Sequence, residues 1–455
     1  MIDHIRIQNF KSWKDTGELQ LAPLTGLFGT NSSGKTSILQ MLLMLKQTTE
    51  LPDRKRVLHT GDSRSLVDVG TFSDLIHGHQ SDRSLEFMIR WGLPQPLVIR
   101  DPERLRELFK VQSLCFETSI SSRSGIATVD AFRYTFEKEK FGMSRREGDK
   151  KADKDRYNLE SGGYAAKRVQ GRAWSLPPPV KCYGFPDEAV GYYQNLGFLP
   201  DFVLSFEGLF SQVFHLGPLR EYPQRSYVWA GVTPVDVGRR GEQAIPALLA
   251  SRSMGKTVSQ GQGRRPRLTV EERIASWFRK MKMIHSFELQ PLAENRKEYE
   301  VRVKKSQHSE EVLITDVGFG VSQLLPVLVL CYYVPEGATL LLEQPEIHLH
   351  PSVQADLADV LVDVVKRRKI QIIVESHSEH LLRRIQRRIA EDLIPSDMTA
   401  LYFCRMDNSS SRIEKLNIDL FGSITNWPED FWGDEMGELV AMTEAARRRQ
   451  GSSPK

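Results

Sequence analysis

Apolar positions alternate through the first ten residues, with Ile2, Ile5, Ile7 and Phe10 on the apolar side, and residues 11–14 follow as a polar turn. That pattern predicts a strand and a hairpin. Leu21 to Phe28 is a short apolar run broken at Pro23, and Ser37-Ile38-Leu39-Gln40-Met41-Leu42-Leu43-Met44-Leu45-Lys46 reads as an apolar helix without a breaker. Period two returns between residues 84 and 135, in Leu85-Glu86-Phe87-Met88-Ile89-Arg90-Trp91 and Ile126-Ala127-Thr128-Val129-Asp130-Ala131-Phe132, which predicts antiparallel strands. Residues 271–283 place Ile274, Trp277, Phe278 and Met281 at helical spacing, as core positions. Residues 338–342 have the apolar body of a central parallel strand covered on both faces, and residues 370–374 read as another strand running into a helix.

Between the second and third of these elements lies Gly29-Thr30-Asn31-Ser32-Ser33-Gly34-Lys35-Thr36, which fits G-x-x-x-x-G-K-[ST] in the strand–loop–helix context that a phosphate-binding loop requires. Its glycines let the backbone close around a polyphosphate, and the loop and helix amides donate to the phosphate oxygens. The nucleotide-binding candidates are Gly29, Asn31, Ser32, Ser33, Gly34, Lys35, Thr36 and Ser37, with Lys35 reaching the β and γ phosphates and Thr36 a ligand to Mg²⁺. The plain alternative is a Gly/Ser turn. Ser253-Met254-Gly255-Lys256-Thr257 imitates the motif but has Ala250 where the first glycine belongs and no strand before it.

A net charge of +4 is too mild to argue for nucleic acid. Locally, residues 137–172 mix many Lys and Arg with acids and with Tyr157 and Tyr164, and two readings stay open: a mixed-charge hairpin or arm, or a basic, aromatic patch that touches nucleic acid. Pro177-Pro178-Pro179 ends that segment as a stiff connector. The four cysteines are far apart and form no C-x-x-C, which suggests reduced thiols and no zinc site. No apolar run approaches the ~18 residues of a membrane span, and the N-terminus lacks a signal-peptide layout, so a cytoplasmic protein without membrane contact is expected.

Ile5-Arg6-Ile7-Gln8-Asn9-Phe10-Lys11-Ser12, followed by the phosphate loop, resembles the opening of ABC-type ATPases related to SMC, RecF and OLD proteins. Residues 66–78 are similar to the segment such ATPases place near the γ-phosphate, although no glutamine stands there; a strand–turn–helix is the alternative. Gly217-Pro218-Leu219-Arg220 also resembles a turn of this group, with Arg220 either facing nucleotide or partner, or a surface arginine on a structural turn, the plainer reading. Thr315-Asp316-Val317-Gly318-Phe319-Gly320-Val321-Ser322-Gln323 resembles the ABC signature, which offers glycine amides and a helix N-terminus to a nucleotide held by another subunit. If Gly320 is the second glycine, Gly318 stands at the usual serine and Ser322 is the alternative hydroxyl.

Leu340-Leu341-Leu342-Glu343-Gln344-Pro345-Glu346 resembles Walker B, with Glu343 holding Mg²⁺ through water. Gln344 occupies the usual place of the carboxylate that polarises the attacking water. Three explanations stay open: slow hydrolysis, a takeover by Glu346, or an engineered Glu→Gln change. Val374-Glu375-Ser376-His377 resembles the switch-histidine segment, which makes His377 a γ-phosphate contact; a competing metal reading would join His348, His350, His377 and His380.

The resemblance implies an α/β fold, a P-loop NTPase head of the ABC type, two-lobed and discontinuous, around a middle α+β insertion. The expected divisions are 1–83 (phosphate loop), 84–300 (insertion), 301–395 (signature, Walker B, switch His) and 396–455 (a small C-terminal domain). Asn426-Trp427-Pro428 resembles a short uncharacterised domain that closes a prokaryotic subset of these ATPases, with a helix expected over residues 434–449 and no Toprim nuclease. The implied function is ATP binding and hydrolysis with Mg²⁺, in heads that form a homodimer or higher homo-oligomer. They would switch a separately encoded effector, such as a nuclease, in a prokaryotic anti-phage defence system. The alternatives are a DNA-binding repair or recombination ATPase resembling RecF, and an ATP-binding scaffold with negligible turnover.

Overall fold

Five strands run parallel in one sheet, in the order Val213–Leu216, Thr339–Glu343, Gln371–Glu375, Leu24–Gly29 and Thr399–Asp407, and Ser410–Leu416 adds an antiparallel edge. The computed structural model describes residues 1–80, 82–101, 106–123, 125–146, 156–170, 175–259, 266–294, 296–428 and 440–443. Both predicted strands, 338–342 and 370–374, are inner strands of this sheet, where every residue of Thr339–Glu343 and Gln371–Glu375 is buried.

Successive side chains of a strand point to opposite faces, and here the two faces belong to two different cores. Leu27, Leu341, Ile373, Tyr402 and Cys404 join one cluster, while Phe28, Leu340, Leu342, Ile372, Val374, Leu401 and Phe403 join the other. The first core contains the helix Lys35–Glu50, whose central Ile38, Leu39, Met41, Leu42, Leu43, Met44 and Leu45 are all buried because it is packed on more than one side. The second contains the helices Ala244–Ser253, Val270–Lys280, Phe319–Tyr333, Pro351–Arg368 and Glu379–Ala390. Thr269 and Glu272 form a capping box that starts Val270–Lys280, and its Ile274, Trp277 and Phe278 are buried as expected.

Beyond the helix Lys35–Glu50 lies a second, antiparallel sheet of eight strands. Its path runs Trp13–Asp15, Ile2–Phe10, Leu85–Arg100, Glu107–Arg123, Ile126–Phe136, Glu139–Arg145 and Tyr157–Glu160, with Leu19–Gln20 beside Ile2–Phe10. The sheet joins the N-terminal strand to strands beyond residue 83, and Thr399–Asp407 with Ser410–Leu416 completes the parallel sheet from beyond residue 395. Its inner face is aromatic: Phe116 lies 4.7 Å from Phe206 of the helix Leu199–Ser211, and Tyr134 stacks on Phe202 of the same helix at 5.7 Å.

Residues 66–71 form no strand; a short helix, Phe72–Leu75, follows, capped by Thr71 and Asp74. The described residues of the charged segment 137–172 contribute two strands, and Tyr157 and Tyr164 face inward: Tyr157 is buried with its hydroxyl donating to Val129 O at 2.6 Å, and Tyr164 packs against Phe109, Phe141 and Phe198. No stacking platform for bases is made from these two rings; Lys150, Lys151, Lys154 and Arg172 lie outside the described residues. Of the helix expected over residues 434–449, only 440–443 are described, and these are helical. Met254 to Thr257 leads into a two-residue strand, and Lys256 Nζ bonds the Tyr333 carbonyl, so this segment is no second phosphate loop.

Candidate functional site

Four adjacent parallel strands deliver their carboxyl ends to one edge of the sheet, where ligands bind in open α/β folds. Leu24–Gly29 hands the chain to the phosphate loop, Gln371–Glu375 to Ser376 and His377, Thr339–Glu343 to Gln344 and Glu346, and Val213–Leu216 to the turn that carries Arg220.

The loop needs its glycines for two reasons. Gly29 has φ +132°, and a Cβ there would lie 1.9 Å from the Cys404 carbonyl oxygen; Gly34 has φ +87°, and its Cβ would meet Ser411 Oγ at 2.5 Å and Ser12 Oγ at 2.6 Å. Asn31 and Ser32 are exposed at the tip and Ser33 is buried. Gly34 starts the helix Lys35–Glu50 without any side-chain cap, which leaves amides of the first turn for an anion. Ser37, buried in the first turn, donates its N–H to Gly34 O at 3.1 Å. Lys35 is only 3% exposed, and its ammonium donates to Gly29 O at 3.1 Å, Thr30 O at 2.7 Å and Ser33 Oγ at 3.3 Å, so the charge is folded along the inside of the loop. Burial lowers its pKa.

The acidic side is stitched to this loop. Thr36 Oγ1 donates to Glu375 Oε1 at 2.9 Å, and Glu343 Oε1 is 2.8 Å from Nε2 of the buried His215. Burial pushes the Glu375 carboxyl up to about 7. Glu346 accepts from Ser376 Oγ at 2.7 Å and from the His377 amide at 2.8 Å, both through Oε1. Burial raises its pKa too. Glu346 and Glu375 each keep a buried Oε2 without a hydrogen-bond partner. Gln344 adopts φ +42°, in the left-handed region, and its N–H donates to Glu375 O at 2.8 Å, so the turn after Walker B is tied to the neighbouring strand. His377 is half-buried and hydrogen-bonds the Gly29 backbone, and burial followed by the Lys35 charge holds its pKa below the ordinary histidine value.

The signature candidates lie at the start of Phe319–Tyr333. Gly318 is its N-cap, with open space where a Cβ would project; Gly320 packs near Met283 and Leu349; and Ser322 Oγ is buried, donating to Phe319 O at 2.8 Å. The Ser322 hydroxyl is thus spent inside the helix. The Phe319 ring sits 5.3 Å from His348 and 5.6 Å from Tyr222, which places the helix start beside the loop after Walker B. His350 caps Pro351–Arg368 and His380 is exposed; among the described residues no group of three or more His, Cys, Asp or Glu is arranged to hold a metal.

Three residues of this edge escaped the sequence reading, and for a fourth, Arg220, the plainer of its two alternatives fails. Trp13 was placed in a polar turn, yet its indole N–H donates to Gly34 O at 2.9 Å. His215 sat unmarked in an apolar run. Glu375 carried a usable signal, an acid closing the apolar stretch Ile372-Ile373-Val374. Arg220 is no surface arginine: it is 5% exposed, and burial lowers its pKa to about 10 against the opposing pull of Glu343 and Glu346. The residues fit ATP and Mg²⁺ on the structure's own terms: a loop with no room for a Cβ at two positions, an inward lysine, and a hydroxyl and carboxylates of the hard-oxygen type that Mg²⁺ takes.

The described residues contain no helix long and apolar enough to cross a membrane. No curated protein matches the chain. Among solved structures it is similar to an SMC head bound to the C-winged helix domain of ScpA, with 11% identity, 92% of this chain and 98% of that chain covered, and a TM-score of 0.48. It is similar also to an Smc head domain with an extended coiled coil bound to the C-terminal domain of ScpA, derived from Pyrococcus furiosus (11% identity, 98% and 99% covered, TM-score 0.45). A third is the SMC head domain from Thermotoga maritima (11% identity, 92% and 99% covered, TM-score 0.38). Residues 394–442 match a family described as a protein of unknown function (DUF3696). The AAA ATPase domain family matches residues 1–154 and 258–382, more than half of the chain. The chain therefore belongs to the AAA ATPase domain family, and its architecture is α/β, with a phosphate loop at the edge of a largely parallel sheet.

Proposed function

We propose that this ATPase is a slow, nucleotide-dependent switch whose heads pair through the signature segment. The observation that carries the reading is the meeting of Lys35, Thr36, Glu343, Glu346, Glu375 and His377 at one sheet edge. Lys35 neutralises phosphate charge. Thr36 and Glu343 would hold Mg²⁺, with Glu375 orienting the Thr36 hydroxyl and His215 fixing the Glu343 carboxylate. When bound, Mg²⁺ supplies charge neutralisation of the β and γ phosphate oxygens. Gln344 orients water from a constrained backbone position but accepts no proton, and His377 contacts the terminal phosphate side of the loop. Slow turnover suits a protein that holds a partner in waiting.

Head pairing is supported by Gly318, an uncapped N-cap opening a 15-residue helix, with Phe319 and Tyr222 38% and 71% exposed beside it. The test is Gly318→Asp. Aspartate is a good N-cap residue, so the helix stands, while its charge opposes a phosphate presented by a second copy. Light scattering with a non-hydrolysable ATP analogue should show assembly, or a tightened existing oligomer, in the wild type and its loss in the variant; assembly unchanged by Gly318→Asp overturns the head-pairing reading. A separately encoded effector in a defence system rests on the sequence resemblance alone, and co-purification with the products of neighbouring genes tests it.

A further inference from the structure

Arg220 is a buried cation without an acceptor. Its Nε, Nη1 and Nη2 all lie inside the protein with no hydrogen-bond partner. The turn builds this placement: Gly217 N donates to Arg239 O at 2.9 Å, Glu221 N donates to Arg240 O at 2.8 Å, and Arg240 pairs with Glu221 at 3.3 Å. With the turn pinned at both ends, Leu219 faces solvent at 68% exposure and Arg220 faces the sheet edge at 5%. The strand before it, Val213–Leu216, runs parallel to Thr339–Glu343 with His215 in register with Leu341 and its Nε2 2.8 Å from Glu343 Oε1, so the turn emerges at the same edge as the phosphate loop. A buried charge without a hydrogen-bonded partner opposes folding strongly, and no hydrogen bond within the described residues offsets it. A guanidinium offers five N–H groups in a planar fork that matches phosphate oxygens. Negative charge is already present nearby in Glu343 and Glu346, yet neither carboxylate bonds Arg220.

We infer that Arg220 is a contact for the terminal phosphate of the bound nucleotide and selects ATP over ADP. The inference rests on the nucleotide-site reading above and adds a residue to it. Calorimetric titration of the full chain with Mg²⁺ and either ADP or a non-hydrolysable ATP analogue tests it, for wild type, Arg220→Gln, Arg220→Lys and Lys35→Ala. A charge-assisted hydrogen bond to phosphate corresponds to about 10- to 100-fold in affinity. Arg220→Gln should lose that factor for the ATP analogue and keep wild-type affinity for ADP, and Arg220→Lys should recover part of it, having the charge without the fork. The nucleotide-free melting temperature of Arg220→Gln should hold or rise, because no internal hydrogen bond is lost. An unchanged ratio of ATP-analogue to ADP affinity in both variants, or a fall in melting temperature with equal loss of both ligands, overturns the inference and makes Arg220 structural. The parent reading fails differently: wild type binding neither nucleotide, or Lys35→Ala binding both as tightly as wild type.

Discussion

Thr36 and Glu375 are joined by a hydrogen bond of 2.9 Å, Oγ1 to Oε1, although they stand on separate elements 339 residues apart in the chain. The carboxylate takes the hydroxyl hydrogen, which leaves the lone pairs of Oγ1 turned to a cation. Partners of this kind orient metal ligands, and their removal costs roughly 10–100-fold in metal affinity. Glu375→Gln should therefore raise the Mg²⁺ concentration needed for ATP binding by about that factor, measured by titrating Mg²⁺ at fixed ATP. An unchanged Mg²⁺ requirement would remove Glu375 from the site.

Lys35→Ala should abolish detectable ATP binding while circular dichroism stays that of the wild type. The ammonium is bonded only within the loop itself, to Gly29, Thr30 and Ser33, so its removal spares the cores on either side of the sheet. Retained affinity in a folded variant would sink the nucleotide assignment.

Glu346 predicts a pH dependence. Burial raises its carboxyl above the ordinary value of 4.5, so the native state holds the proton more tightly than the unfolded chain. Between the ordinary and raised values the native state binds more protons, and stability falls as pH rises through that window. Glu346→Gln keeps an acceptor for Ser376 and His377 and removes the ionisation. In the nucleotide-free protein, the melting temperature of the variant relative to wild type should rise from acidic to neutral pH. A pH-independent difference would mean that Glu346 titrates normally.

The fold was legible where a pattern has one structural solution. The apolar body of residues 338–342 demands cover on both faces, and it became an inner strand, as did 370–374. The alternation at 85–91 demands one buried face, and it became the second sheet. The phosphate loop was legible because its geometry forbids side chains at Gly29 and Gly34. What stayed hidden depends on contacts between distant segments: Trp13 reaches Gly34, His215 reaches Glu343, and Glu375 reaches Thr36. Arg220 was misplaced because the same Gly-Pro turn can aim its arginine outward or inward, and the choice is made by the pins to Arg239 and Arg240.

Gln344 gives the sharpest test of the slow-switch reading. Its φ of +42° and the bond from its N–H to Glu375 O set the backbone at the end of Walker B independently of its side chain, so Gln344→Glu should fold without rearrangement. General-base catalysis contributes roughly 10²–10⁴-fold, and glutamine retains positioning without proton acceptance. Single-turnover ATP hydrolysis should therefore quicken appreciably in Gln344→Glu, while Glu343→Gln, which leaves His215 facing a neutral amide in place of a carboxylate, should abolish what activity remains. Glu346 is a weaker candidate for the base, because its Oε1 is committed to Ser376 and the His377 amide; only Oε2 is without a partner. Brisk hydrolysis by the wild type, lost in Glu346→Gln and unaffected by Gln344→Glu, would transfer the role to that oxygen and end the slow-switch reading. A rate insensitive to both substitutions would place activation of the water outside this loop, with His377 the next residue to replace.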